Sequence, residues 1–580
     1  MSEAAAIAKD ALARGDLIAA YDATVSAIEA GDDSHAVRHQ QVLALARMGD
    51  TERAMELFEA HGLDRSDDPH ERAVGARLLK DRALAAPPGE RQFALERAFE
   101  AYHAIYRESG DSFPGINAAT LALLADRGDD ARGLAAALLA DPAVAGAGDY
   151  YMAVTKAEAL LILGRTEEVG AVLCSEPVRA SRDLGARSSS YRQLLMVAGH
   201  AGVDGAALLT PLAPPRVMHF CGHMFAADVA AEARLRAEAE AIIAQQAIGF
   251  AFGALACGSD LVLAEAALAR GVRLHVVLPF AEEDFLAQSV RPGGEGWEAR
   301  YRAVRDAASS VTFASEIEFF GDPAQYGYAS RMAMGMARLR AEHLGGEAIQ
   351  LAVWDGRPSN GPAGTGADVA AWTEREGRTR IVAPGAVDRD LTRPPPAMTS
   401  AYERNLAAIL FTDFKGFSTL SESALPAFWD GVMRIAAEIL DGHADEVECR
   451  NSWGDALYAV MSSAPTAAEI ALQLQERLAQ YDYATLGLDG SGGMRIGAHY
   501  GPAYRTIDHI TGRTTYYGTE VSKAARIEPV TPPGAVFVTQ PLAAILALEA
   551  RSRFNCAYVG RIALAKKYGD YPMYRLTRLR

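Results

Sequence analysis

The spacing of apolar residues changes twice along the chain. Through residues 1–210 they fall on one helical face. In Leu43-Ala-Leu-Ala-Arg-Met-Gly-Asp-Thr-Glu-Arg-Ala-Met-Glu-Leu-Phe58 one stripe precedes a glycine and a second follows it, which predicts two helices joined by a glycine turn. The turn Ala13-Arg-Gly-Asp16 recurs as Arg47-Met-Gly-Asp50, about 34 residues on. Looser copies at Arg127-Gly-Asp129 and Leu163-Gly-Arg165 stand about 36 apart, so this region reads as an all-α helical repeat array. Over residues 212–385 short apolar runs, often ending in glycine, alternate with helical stretches. The runs are Arg216–Gly222, Phe250–Gly253, Val272–Phe280, Ile349–Trp354 and Arg380–Val382, and they predict a doubly wound α/β domain with a parallel sheet. Residues 402–580 change rhythm again. Strand 405–413, helix 422–440, hairpin strands 446–451 and 456–461, helix 465–480 and strand 494–500 give the β-α-β-β-α-β order of an α+β ferredoxin-like sheet, extended by a helix over 518–528 and further strands.

The joints between these regions are rich in proline. Thr210-Pro-Leu-Ala-Pro-Pro215 separates the first two, and residues 386–401, with Pro394 to Pro396, form an extended spacer before the last. At 580 residues three domains are expected. No apolar run reaches bilayer length and the start of the chain lacks a basic-then-apolar signal, so the expectation is a cytoplasmic protein with no membrane partner. Five scattered cysteines without Cys-x-x-Cys spacing argue against disulfides and zinc. A net charge of −17 argues against a nucleic-acid surface.

Candidate chemistry concentrates in the last region. The run Ile409-Leu-Phe-Thr-Asp-Phe-Lys-Gly-Phe-Ser418 delivers Asp413 to a glycine turn, and Arg450-Asn-Ser-Trp-Gly-Asp455 places a second carboxylate at a hairpin. If the strands are neighbours, the two acids converge on a site for Mg²⁺ or Mn²⁺ bridging nucleotide phosphates; each acid alone is equally explained as a turn cap. With Met494–Pro502, Tyr516–Arg526, Pro533–Thr539 and Ala565–Leu576 following in order, the region from Tyr402 to Leu576 resembles the class III nucleotidyl cyclases. The resemblance implies two metal ions per active site on Asp413 and Asp455, with a carbonyl from Phe414. One ion acidifies the ribose 3′-hydroxyl and the other holds the leaving pyrophosphate. It also implies triphosphate contacts from Lys415, Gly416 and Phe417, a transition-state arginine at Arg526, and a phosphate lysine at Lys567, with Lys566 as the alternative. Base-reading positions fall on Asn451 and Thr515, where this class usually has lysine and aspartate. Ser522 stands where it has the transition-state asparagine, a shorter donor expected to slow turnover. The class splits each site between two protomers, so a single copy implies a homodimer.

The first region resembles tetratricopeptide repeats, which implies a protein partner on the array; an alanine-rich helical array without a partner is the alternative. The middle region resembles the Rossmann-like nucleotide-sensing domains related to DprA and the lysine-decarboxylase-like (LOG) proteins. A second nucleotide site is expected there at Gly222, Gly253 and Gly258, although these glycines would equally serve close packing. His219, His223 and His275 are candidate ligands or core residues, and the loop Trp354–Gly366, flanked by Asp355 and Asp368, is placed to close over a ligand. Together these features imply a regulated enzyme converting ATP to cyclic AMP and pyrophosphate. Use of GTP or another nucleoside triphosphate, a degenerate cyclase acting as sensor or scaffold, and hydrolytic chemistry in the middle domain stay open.

Overall fold

The computed structural model describes residues 3–226, 228–359, 361–384, 403–488 and 493–579; the spacer expected at 386–401 lies outside them. The first region is helical throughout. Paired helices such as Leu17–Glu29 with His35–Met48, and Ser112–Leu124 with Gly128–Ala140, pack against one another. Gly15, Gly49 and Gly164 make the predicted turns with left-handed backbone (φ 72°, 90° and 74°). At the third copy the left-handed residue is Asp126 (φ 57°), and Gly128 already begins the next helix. Aspartate tolerates that conformation, so the turn survives without the expected glycine.

The middle region contains strands β1 (Arg216–Gly222), β2 (Ile248–Gly253), β3 (Arg273–Leu278), β4 (Ser310–Phe313), β5 (Ala348–Val353) and β6 (Arg378–Val382). They form one sheet of order β4-β3-β2-β1-β5-β6, every pairing parallel. Helices α1 (Val229–Gln245), α2 (Ser259–Ala269) and α3 (Trp297–Ala307) belong to one side, and α4 (Ala324–Leu344) and α5 (Thr365–Thr373) to the other. Alternate strand residues explain the double cover. Val217, Phe250, Phe252 and Val277 bury against Ala329, Ala333 and Ala337 of α4, while Met218, Phe220 and Ala251 bury with Leu261 and Ala264 of α2. Because strand order reverses between β1 and β5, the chain opens a crevice at their carboxyl ends.

The last region holds β7 (Glu403–Lys415), β8 (Val447–Trp453), β9 (Ala456–Met461), β10 (Gly493–Ile507), β11 (Thr514–Tyr517), β12 (Val536–Thr539), β13 (Phe554–Ala563) and β14 (Asp570–Arg578). The sheet runs β13-β14-β12-β10-β7-β9-β8, with β11 on β10. Its helices include α6 (Arg434–Asp441), α7 (Ala464–Leu478), α8 (Thr519–Ala524) and α9 (Gln540–Glu549). The helix expected over 518–528 stops at Ala524. Pro529 has no N–H to give the Ala525 carbonyl, the bonds tighten to i→i−3 at Arg526 and Ile527, and a short 3₁₀ turn, Glu528–Val530, follows.

The three regions share one apolar core. It joins Leu12, Leu17 and Leu45 of the repeats, Met332 and Ala333 of α4, and Ile496, Ala544 and Tyr558 of the last domain. Tyr21 meets Tyr558 edge-on at 6.1 Å, and the Tyr558 hydroxyl donates to Asp22 at 2.8 Å. The Arg340 guanidinium of α4 donates to the Gly15 carbonyl at 2.7 Å. The first repeat helices therefore pack against the last domain.

Candidate active site

Sheet order builds the acidic half of the site. β7 lies between β10 and β9, so Asp413 near the end of β7 and Asp455 in the turn before β9 meet at one sheet end. The Phe414 N–H donates to the Asp455 carboxylate; burial, then the neighbouring Asp413 charge, push the Asp455 carboxyl above the usual range. Phe414 is buried with its ring 5.2 Å from Phe428, and Phe417 packs on the same ring at 4.9 Å. These contacts fix the turn that presents Lys415 to solvent. Directly across the β7–β10 ladder from Asp413 is Arg495, whose guanidinium donates to that carboxylate. Arg495 Nε also lies 2.8 Å from Glu528 Oε1, in a charge contact without hydrogen-bond geometry. Burial first, and then the Asp413 and Asp455 charges, raise the Glu528 carboxyl to about 7 against the pull of Arg495.

A second group forms around α8. Ser522 is exposed on it, and Arg526 follows the helix end with its N–H on the Lys523 carbonyl at 2.9 Å. The Ala565 N–H donates to the Arg526 carbonyl at 3.3 Å, and the Tyr568 hydroxyl to Thr519 at 3.1 Å. This ties α8 to the loop carrying Lys566 and Lys567. Both lysines hold left-handed backbone (φ 61° and 58°), a strained pairing for side-chain-bearing residues. Thr515 pairs with Thr506 across β10–β11, and β11 also lies along β8, which carries exposed Asn451. The Tyr458 hydroxyl of β9 donates to the Tyr516 carbonyl of β11 at 3.1 Å. Among the described residues no hydrogen bond or ion pair joins Asp413 or Asp455 to Ser522 or Arg526.

Beneath α8 sits a buried polar cluster. Glu520 Oε2 lies 2.8 Å from both Lys523 Nζ and His499 Nε2, and the Thr539 hydroxyl is 2.8 Å from His499 Nδ1. Burial opposes the Glu520 charge, yet His499 and Lys523 hold its carboxyl near 2. Burial lowers the His499 pKa, so we assign a neutral ring beside a Glu520–Lys523 ion pair. The middle domain touches this cluster directly. The Ser315 hydroxyl donates to Glu520 Oε1 at 3.4 Å, and the Tyr328 hydroxyl of α4 donates to the Tyr500 carbonyl at 2.8 Å.

In the middle domain Gly222 and Gly253 line a cavity of about 560 Å³, and Gly258 makes the turn into α2. A Cβ on these glycines would lie 2.3 Å from Ser259 Cβ, 2.7 Å from the Phe220 carbonyl oxygen and 2.5 Å from the Phe225 nitrogen, so packing alone requires all three. His219 stacks on Trp372 at 6.1 Å and His275 on Phe252 at 4.6 Å; burial lowers both to about 3, and they are core residues. His223 faces the cavity with Nε2 3.2 Å from Asp355 Oδ1. Arg495, Glu528 and the α4 contacts were not foreseen from sequence. A single charge inside the apolar run Met494-Arg-Ile-Gly-Ala was the available signal for Arg495.

Comparisons with known proteins bear on the first and last regions of the chain. Residues 400–578 match the family model "Adenylate and Guanylate cyclase catalytic domain", and residues 16–122 match "Tetratricopeptide Repeats-Sensor". The chain thus carries a C-terminal cyclase catalytic domain and an N-terminal repeat-sensor region. Similar solved structures include the adenylyl cyclase CyaB from P. aeruginosa, with 16% identity over 31% of this chain and 98% of that one, at TM-score 0.28. The guanylate cyclase domain of RhGC from Catenaria anguillulae in complex with GTP shares 18% over 31% and 100%, at 0.27. Adenylate cyclases from Trypanosoma brucei share 20% over 30% and 89%, at 0.26. No curated protein sequence matches the chain. Among the described residues no helix is long and apolar enough to cross a membrane.

Proposed function

We propose that the chain is a cytoplasmic adenylate cyclase that forms cyclic AMP and pyrophosphate from ATP at sites shared between two copies. The convergence of Asp413 and Asp455 at one sheet end carries this reading. Two carboxylates side by side, with burial and the Asp413 charge raising the proton affinity of Asp455, suit a divalent cation, and the described residues offer no third His, Cys, Asp or Glu ligand. That donor set fits Mg²⁺ or Mn²⁺, which are commonly held by one or two carboxylates with the substrate's phosphates. Two such ions, when bound, supply the Lewis acidity that favours the ribose 3′-oxyanion and holds pyrophosphate.

The chain's own groups do the rest. The Lys415-Gly416-Phe417 turn lies against the triphosphate. Asn451 and Thr515 read the base, and the shortened Ser522 donor positions the ribose. The Arg526 fork neutralises charge on the α-phosphoryl oxygens as the 3′-oxygen bonds to phosphorus and the bond to pyrophosphate breaks. Lys567 holds the phosphates. One copy of each group in the chain, in a class that splits each site between protomers, supports a homodimer with two equivalent sites. So do the exposed apolar residues Trp453, Ile507, Ile510 and Tyr517 on the strand tips around it.

Complementation tests the reading. Asp413→Ala and Arg526→Ala proteins are each expected to be inactive with all four nucleoside triphosphates and Mn²⁺, products being identified by mass. Mixed and allowed to exchange subunits, they form dimers in which one site carries both defects and the other neither, so a fraction of wild-type activity returns. A mixture that stays inactive despite subunit exchange refutes the shared site. A wild type that makes cyclic GMP and no cyclic AMP refutes the base assignment.

A further inference from the structure

The helix Leu184–His200 closes one side of the repeat array, packing against Glu3–Ala13, Ser112–Leu124 and Tyr150–Ile162. Part of this seam is satisfied internally. Lys80, on the helix Pro69–Ala85, donates to Asn117 Oδ1 at 2.9 Å and to Gln193 Oε1 at 2.8 Å, and Gln193 donates to Glu158 Oε1 at 2.6 Å. Beside these bonds three arginines gather: Arg47 from His35–Met48, Arg77 from Pro69–Ala85 and Arg192 from Leu184–His200. Among the described residues none of the three guanidiniums donates a hydrogen bond, and their only ion pair is Arg77 with Asp81 at 3.5 Å.

Arg47 is pressed against the start of Leu184–His200. A Cβ on Gly185 would lie 2.7 Å from its Nη1, and its Nε is buried without a partner. Ser188, Ser189 and Arg192 follow Gly185 on the same face at helical spacing. Ser188 is 3% exposed, and the hydroxyls of both serines are buried without a partner. The nearby acids are engaged elsewhere. Asp183 caps the helix by accepting from the Ala186 N–H at 2.8 Å, and Glu158 accepts from Gln193 and Thr120. Burial first, and then the Arg77 charge, lowers Arg47 to about 10 and Arg192 below its usual range, as expected of like charges facing one another out of water.

A guanidinium taken from water without an anion costs free energy, and so does a buried hydroxyl without a partner. An anion bound among them would satisfy both. The donors set its class. The planar fork of arginine matches phosphate oxygens two at a time, and three forks from three helices reach more than one phosphate group. The serine hydroxyls add neutral donors for the same oxygens. An extended peptide is disfavoured, because Leu184–His200 already lies against the array and Lys80 and Gln193 bridge the seam.

We propose that Arg47, Arg77 and Arg192, with the Ser188 and Ser189 hydroxyls, hold a compact anion carrying two or more phosphate groups. The site lies outside the last domain, so its test needs neither turnover nor metal. Calorimetry on the full chain in chloride buffer with EDTA compares orthophosphate, pyrophosphate, tripolyphosphate and a tetra-aspartate peptide. Pyrophosphate or tripolyphosphate is expected to bind at least about tenfold more tightly than orthophosphate, since each added phosphate reaches a further guanidinium. Arg192→Gln and Arg77→Gln are each expected to weaken that binding at least about tenfold, and Arg526→Ala, in the candidate active site, to leave it unchanged. Thermal unfolding supplies a second readout. The anion at about a hundredfold excess over its Kd should raise the wild-type melting temperature by roughly 5–10 °C. Arg192→Gln, relieved of an unpaired charge, should melt no lower than wild type without the anion and gain nothing from it.

No binding by pyrophosphate or tripolyphosphate overturns the proposal. Binding that persists in both glutamine variants, or that disappears with Arg526→Ala, puts the anion elsewhere and overturns it too. Tighter binding of the peptide than of tripolyphosphate overturns the compact-anion class. An Arg192→Gln protein that fails to fold or melts well below wild type reveals a guanidinium with a structural partner, and that result overturns the unpaired cluster; Arg77→Gln repeats the measurement from a second helix.

Discussion

Replacing Glu520 by alanine tests whether the buried cluster holds α8. Glu520 is 2% exposed and its Oε2 lies 2.8 Å from Lys523 Nζ, itself 8% exposed. Truncation leaves an ammonium group buried without its anion, a loss of about 3–5 kcal/mol for pairs of this kind. The Tyr571 ring, 5.0 Å from Lys523 Nζ, offsets only part, because a cation–π contact supplies roughly 0.5–2 kcal/mol. At about 2–4 °C per kcal/mol for a domain of this size, the melting temperature should fall by roughly 6–20 °C. The double variant Glu520→Gln/Lys523→Met removes both charges and should recover most of that loss. Thermal unfolding by circular dichroism, beside the cyclisation rate, reads both. The pH dependence has a definite sign. With the folded Glu520 carboxyl near 2, below its unfolded value, its contribution is present above the unfolded pKa and disappears as pH falls through the folded one. The gap between wild type and Glu520→Ala should therefore close in acid. A single variant melting within about 2 °C of wild type, or a double variant no better than the single, would refute the buried pair as the helix's anchor.

Two further predictions follow from packing and charge. Gly335→Ala places a Cβ 1.9 Å from the Ala544 carbonyl, a backbone atom that cannot turn aside; overpacking of about 1–3 kcal/mol should loosen α4 from α9. Amide exchange across Gln540–Glu549 should accelerate, and unchanged protection would contradict the close approach. Asp368 is raised by burial to about 7, so the folded state binds its proton more tightly than the unfolded chain does, and stability is lost as pH rises toward 7. Asp368→Asn should gain about 1–2 kcal/mol over wild type at pH 8 and nothing at pH 4, after discounting for water in the cavity; chemical denaturation at the two pH values measures it, and an equal difference at both would count against the shift.

The strand positions of Asp413 and Asp455 were legible because local pattern suffices there. An apolar run ends on an acid before a glycine turn, and a tight hairpin carries the second. The alternating middle region likewise announced a parallel sheet. The bland readings of Gly222, Gly253, Gly258, His219 and His275 are all met by packing in the structure, whereas the acids Asp260 and Asp368 belong to the cavity's polar lining. Those acids were not separable from helix-start residues in sequence, since burial decides their chemistry. Arg495 and Glu528 were hidden for a related reason: their partner Asp413 lies across a ladder more than eighty positions away, and register is a tertiary fact. The length of α8 was misjudged although Pro529 was in view, because its apolar pattern continues past the chain's actual turn.

The placement of the interdomain contacts bears on where control can act. Asp413 and Asp455 rest on β7, β9 and the Phe414–Phe428 packing, all within the catalytic domain. The helix bearing Ser522, and leading to Arg526, rests on Glu520, which the middle domain reaches through Ser315. A displacement of the middle domain would therefore reach the helix of Ser522 through Ser315 and Glu520 before it reaches the carboxylates. On the shared-site reading, each copy's Arg526 must meet its partner's acids, and misplacement by about 1 Å can cost on the order of a hundredfold in rate. Small shifts at Ser315 and Tyr328 would then govern turnover while leaving nucleotide affinity at Asp413 and Asp455 almost unchanged. Regulation should accordingly appear in kcat and spare KM.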